Sequence, residues 1–155
     1  MKAYRLCKCK WARDLSGRGA ETAGGRWNSK GVPVLYTAGS RALATVEVAV
    51  HTPLGNLPED YCMVTLELPD GPIAAIKQKD LPADWNSWPA PVTIKQFGDS
   101  FIEEGEFLIL KVPSATVDGD FNYLINPQHR KAGEIRVLSV RLFSFDKRLF
   151  KKNTS

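Results

Sequence analysis

The sequence predicts an α+β fold of six or seven short strands with two helices inserted between them. Alternating apolar and polar runs, the mark of half-buried strands, outnumber the segments with helical spacing. Strands and helices also fail to alternate one for one, as a β-α-β sheet would require.

KAYRLCK alternates and is the first strand. ARDLSGRGAETAGGRWNSKG, residues 12 to 31, is too rich in glycine and polar residues for a regular element and reads as a long loop, of the length that usually carries function or disorder. VPVLYTA is a short strand, and SRALATVEVAVHT is a helix opened by Ser40, whose hydroxyl can accept from an unpaired first-turn amide. YCMVTLELP alternates with Cys62, Val64, Leu66 and Leu68 on one face, and GPIAAIK is its expected partner. The prolines and tryptophans of LPADWNSWPAP mark a packed, irregular connection. A helix over VTIKQFGDSFIEE follows, terminated by Gly105. EFLILKVPS, FNYLIN and EIRVLSVRLFSFD complete the strands.

With 155 residues, 43% of them hydrophobic and 25% charged, the chain fits one domain over residues 1–155, with a core over 1–150 and a tail over 151–155. No apolar stretch approaches the roughly 18 residues needed to span a bilayer. The N-terminus lacks the apolar segment of a secretory signal, so the expected location is the cytoplasm, with no membrane association. The net charge of +4 suits an anionic partner, although part of it sits in the tail DKRLFKKNTS. Cys7 and Cys9 would share one face of the first strand and, with Cys62, read as packing thiols. A lone CxC lacks zinc-site spacing and His51 and His129 are far apart in sequence, so no metal is expected. P-loop, GxSxG, HExxH and GxGxxG motifs are absent.

Glu47 is the residue that calls for explanation. At 100° per residue it falls within a stripe of Leu43, Val46 and Val50, and a carboxylate there needs a partner or a cleft. The opposite reading turns Thr45, Val48 and Ala49 to the core and Glu47 to the surface. A tight strand-to-helix connection brings Tyr36, polar at its tip and flat, near the first turns of the helix. GGRWN precedes it, with two glycines that permit uncommon backbone shapes and an arginine, Arg26, whose donor fork suits phosphate. A cleft with one carboxylate, one tyrosine and one or more arginines suits a phosphate-bearing ligand attacked at a sugar. Two other readings compete: a ribonuclease with His51 and His129 as its acid and base, and a non-enzymatic module that docks its arginine loop onto an acidic partner.

The combination of Tyr4 and Arg5, GAETAGGRWNSKGVPVLYTAGSRALATVEVAVH, GDSFIEEGEFLILKVPSA, NYLINPQH and FSFDKRL resembles the RES domain family of bacterial toxins, in order from about residue 3 to 149. The resemblance implies an ADP-ribosyltransferase-like fold with split central β-sheets and NAD bound in a cleft. It implies a toxin that cleaves the nicotinamide–ribose bond, depleting NAD by hydrolysis or phosphorolysis, or in some members modifying a protein. It further implies a cognate antitoxin with a helix-turn-helix DNA-binding part, and no direct nucleic-acid binding by the toxin itself. Matched residue by residue, Glu47 is the family glutamate, Arg26 the arginine of GRWN, Tyr36 the cleft tyrosine, Ser114 the serine of VPS, and Arg5 an arginine near the NAD site; Arg5 and Arg26 both remain candidates for the family arginine. Arg130 stands where proline is expected after NPQH, so Asn126 and His129 are structural residues first and site-lining residues second.

Overall fold

The computed structural model describes residues 1–152. The strands are β1 (Lys2–Lys8), β2 (Leu35–Ala38), β3 (Tyr61–Glu67), β4 (Ala74–Ala75), β5 (Ile109–Pro113), β6 (Phe121–Ile125) and β7 (Arg136–Phe143). The helices are α1 (Arg18–Ala23), α2 (Arg41–Val50) and α3 (Val92–Glu104). The last residues of the expected tail, 153–155, lie outside the described residues.

The strands form one seven-stranded sheet in the order β4-β5-β6-β2-β1-β3-β7, antiparallel except for β4 on β5. The expected split is present only as a pinch. β1 and β2 share a single register pair, Tyr4 with Ala38, whereas β1 pairs with β3 along all seven of its residues. The four-residue β2 ends at Ala38 and turns through Gly39 into α2, so the two ladders separate beside it.

Alternation along the strands sorts the core to two faces. Ala3, Leu35, Cys62, Val64, Leu66, Ile109 and Ile125 pack together on one side. On the other, Leu6, Ala38 and Met63 meet Leu43 and Ala44 of α2. On that same side Leu110, Val112 and Leu124 meet Ile94, Phe101 and Ile102 of α3. Ser40 caps α2 as expected, its Oγ accepting from the Leu43 amide at 3.0 Å. Gly105, at φ +63°, ends α3 in the left-handed conformation that glycine adopts without a Cβ clash.

Three expectations need correction. Residues 12–31 are not wholly irregular, because Arg18–Ala23, with two alanines and a glutamate, forms α1 after Gly17 turns the chain at φ +71°. GPIAAIK does not pair with β3; only Ala74 and Ala75 are strand, lying parallel to β5, and β3 is already flanked by β1 and β7. Cys9 and Cys62 are a disulfide, Cα atoms 4.8 Å apart, with Cys7 left free. Cys9 escapes the strand alternation because β1 stops at Lys8 and the chain enters a 3-10 turn, Cys9–Trp11.

Candidate active site

A cleft of about 410 Å³ opens at the pinch between β1 and β2, lined from the helix side by Ala44, Glu47, Val48 and His51 and from the sheet by Tyr4, Tyr36, Tyr61 and Asn122. The helix residues follow the i, i+3, i+4, i+7 spacing of one α-helical face. The expected stripe of Leu43, Val46 and Val50 is rotated: Leu43 and Ala44 are buried with Val48 and Ala49 packed beside them, and Val50 is 56% exposed. Alanines at 44 and 49 let the helix sit close on Leu6 and Ala38, so small residues define its core side. Glu47 stands at the edge of that side and faces the cleft.

Burial pushes the Glu47 carboxyl above its ordinary pKa. The His51 imidazole one turn along, and the polar groups of Thr116, Asn122 and Ser114, pull the other way without cancelling the rise. Ser114 follows β5 and is 4% exposed; its Oγ accepts from the amides of Thr116 and Val117 at 3.1 and 3.0 Å. Both acceptances leave the hydroxyl proton available, and Ser114 is among the polar groups that favour the charged Glu47 carboxylate.

The GGRWN loop is pinned from several directions. The Tyr36 hydroxyl donates to Asn28 Oδ1 at 2.7 Å and accepts from the Trp27 amide at 3.1 Å. Burial drives its pKa far above the ordinary tyrosine value. Asn28 is fully buried, and its Nδ2 donates to the carbonyls of Ala20 and Val32. Gly25 has to be glycine for space, because a Cβ there would lie 2.6 Å from the Tyr36 hydroxyl. From α3, Lys95 Nζ donates to the Gly25 carbonyl. Asp99 accepts from the amide and hydroxyl of Ser29 at 2.8 and 2.6 Å.

Arg26, carried by this loop, directs Nη1 to the carbonyls of Trp85 at 3.0 Å and Ser87 at 2.9 Å. Burial lowers its pKa, while the nearby charges of Glu47 and Tyr36 favour the charged form. Tyr36 and Glu47 thus line the cleft, with Arg26 close enough to feel the charge of both and Ser114 close to Glu47. Arg5 lines the same cleft, with Nη1 donating to the carbonyls of Trp11 and Asp14 at 3.1 and 2.9 Å.

Asn126 and His129 do not reach the cleft. Asn126, 1% exposed, accepts from the Gln128 amide at 2.9 Å beyond the far end of β6. His129 lines a separate small groove with Asp70 and Lys131. The histidine pair of the ribonuclease reading is thereby separated, since His51 sits in the main cleft with its ring 5.3 Å from that of Trp88. Sequence reasoning missed Thr116 and Asn122 at Glu47, and Lys95 and Asp99 under the loop. An asparagine within FNYLIN was a usable signal, because asparagine is depleted in strands unless something needs it there. Among the described residues no group of three or more histidine, cysteine, aspartate or glutamate side chains is arranged to hold a metal ion, and no helix is long and apolar enough to cross a membrane.

Comparison with known proteins gives a consistent kinship. The model of the RES domain matches residues 2–146. A protein of a Sphingobium species named Prs ADP-ribosylating toxin is 40% identical over 91% of this chain and 89% of its own length. A Yersinia enterocolitica protein named Toxin Res is 36% identical over 96% of this chain and 99% of its own. In three dimensions, a chain of the M. tuberculosis MbcT–MbcA toxin–antitoxin complex superposes with a TM-score of 0.71 at 21% identity, covering 96% of this chain and 86% of that one, which establishes a shared α+β fold. With most of its length matched by the family model and by relatives well above 30% identity, this chain belongs to the RES domain family.

Proposed function

We propose that the chain is the toxin of a toxin–antitoxin pair, and that it breaks the nicotinamide–ribose bond of NAD in the cleft beside Glu47, depleting NAD by hydrolysis or phosphorolysis. The observation that supports this reading is the half-buried Glu47 carboxylate, near Ser114, Thr116 and Asn122, facing a cleft that Tyr36 also lines and close enough to Arg26 to favour its charge. Residues 1–150 act as one catalytic unit.

Loss of nicotinamide leaves positive charge on the ribose, as in other glycoside cleavages that pass through an oxocarbenium-like transition state. Glu47 meets that charge and accepts from a ribose hydroxyl, an interaction that strengthens as the charge develops and so lowers the barrier. Ser114 orients the carboxylate through its free proton. Arg26, fixed to two carbonyls by Nη1, turns the rest of its fork to the pyrophosphate, and Arg5 supplies a second cation on the opposite wall. The Tyr36 hydroxyl is committed to Asn28 and Trp27, so its contribution is the ring, which borders the nicotinamide. A second reading, transfer of ADP-ribose to a protein side chain, draws on the printed name of the Sphingobium relative.

The partner that fits this reading is a small antitoxin with a helix-turn-helix DNA-binding part, which covers the cleft in the cytoplasm. The test is release of nicotinamide from NAD by the purified chain freed of any inhibitor. Water as acceptor yields ADP-ribose, phosphate yields its phosphorylated form, and a protein acceptor gains the mass of ADP-ribose. RNA cleavage with NAD untouched would overturn the proposal.

A further inference from the structure

We propose that the Cys9–Cys62 disulfide is a redox lock on the β1 wall of the cleft, holding Arg5 in place when closed and releasing it when reduced. The idea rests on the cleft reading given above and adds a regulation to it. Its basis is a short chain of contacts.

Cys62 sits in β3 at 6% exposure, and Cys9 opens the 3-10 turn that follows β1. The Cys9 amide donates to the Asp60 carbonyl at 2.7 Å. The Ala12 amide donates to the Cys9 carbonyl at 3.1 Å, and the Asp14 amide to the Trp11 carbonyl at 3.0 Å. The carbonyls of Trp11 and Asp14 then accept from Arg5 Nη1. The sulfur bond therefore fixes one end of a turn whose other end grips Arg5. Beyond these bonds the turn is held by the packing of Ala12 and Leu15 on the core, whereas Lys10, Trp11 and Arg13 are exposed.

The lock opens by exchange with a dithiol. Cys9 is half-buried and Cys62 buried, so an incoming thiolate attacks the Cys9 sulfur and Cys62 leaves as a thiolate that takes up a proton. The second thiol of the reductant then resolves the mixed disulfide. The protein gains two electrons and two protons, and the reductant becomes a disulfide. Cys7, opposite Cys62 in the β1–β3 register, stays out of the exchange. Burial pushes its thiol pKa up and keeps it protonated, and a protonated thiol is a poor nucleophile. Once the turn is loose, Arg5 has to be ordered again each time a ligand binds, which weakens capture and leaves the surroundings of Glu47 on β5 and β6 unchanged. Oxidising conditions thus tighten binding at the cleft and a reducing compartment relaxes it.

The test uses the whole chain, oxidised with glutathione disulfide or reduced with dithiothreitol, and Cys9→Ser as the permanently open form. Thiol titration should count Cys7 alone in the oxidised protein and all three cysteines in the reduced one. Hydrogen exchange at the amides of residues 9, 12 and 14 should speed up by about tenfold on reduction, with α3 amides unchanged. The KM for NAD should rise by about threefold or more with kcat preserved, and Cys9→Ser should match the reduced protein and ignore oxidant. Three free thiols under oxidising conditions, or exchange rates at 9, 12 and 14 that do not respond to reduction, overturn the lock. If NAD is not turned over at all, the proposed function fails on that readout while hydrogen exchange still decides the lock.

Discussion

The hydroxyl of Tyr36 and the side-chain carbonyl of Asn28 are joined at 2.7 Å, and that bond ties a strand of the sheet to the loop that carries Arg26. Tyr36→Phe leaves both Asn28 Oδ1 and the Trp27 amide without this partner in a buried place, a cost of about 1–3 kcal/mol. The ring is retained, so NAD should still bind. We expect a lower Tm by urea or thermal melting, together with a higher KM from the loosened Arg26. A variant as stable as the parent would show that this bond does not hold the loop.

Gly98 makes an equally specific demand. A Cβ at that position would sit 1.8 Å from the Trp27 carbonyl oxygen, so α3 and the GGRWN loop cannot both keep their places once a side chain is added. Gly98→Ala should destabilise the fold by about 1–3 kcal/mol and reduce turnover, because the displaced loop carries Arg26. Gly133, where an added Cβ meets nothing, is the control, and alanine there should leave turnover and fold intact.

Glu47 should show opposite effects on stability and activity. Its folded-state pKa is raised, so the neutral form is favoured by folding, and that contribution is present at low pH and lost as pH rises through the raised value. Glu47→Gln keeps the shape and removes the costly charge. At neutral pH we expect it to melt higher by roughly 2–4 °C, corresponding to about 1 kcal/mol, while nicotinamide release is abolished. Turnover by the parent should fall with acidification at a pH above the ordinary glutamate range, because the reaction needs the carboxylate. Undiminished nicotinamide release from the glutamine variant would refute the role given to Glu47.

Ser114→Ala removes a buried acceptor of two amides and a donor beside Glu47. The fold should lose about 1 kcal/mol, and the acid limb of the pH–rate profile should move to higher pH because one group that favours the charged carboxylate is gone. A limb that stays in place would reduce Ser114 to a turn residue.

Asn126→Ala and His129→Ala test the boundary of the site. Asn126 holds a turn beyond β6 and His129 lies in a separate groove. Both variants should leave kcat/KM for NAD within about twofold of the parent, and Asn126→Ala alone should lower Tm, since it removes a buried side chain whose Oδ1 accepts from the Gln128 amide and closes the turn.

Local chemistry was enough for the strands that alternate, for the Ser40 cap and for the Gly105 stop, because each depends on residues within a few positions of one another. It also singled out Glu47, since a carboxylate among small apolar residues on a helix demands a physical reason. Tertiary structure decided the rest. Val50 turned outward and Ala44 inward because close approach to Leu6 and Ala38 selects small side chains, a preference that an apolar stripe does not encode. Apart from His51 one turn along, the polar groups that act on Glu47 are Ser114 and Thr116 in the turn after β5 and Asn122 in β6, more than 60 positions along the chain, and nothing local pairs them with it. Cys9 meets Cys62 across a separation of 53 residues only because β1 ends at Lys8 and the chain bends back onto β3. Sequence thus determined which residues need company, and long-range strand pairing decided which company they have.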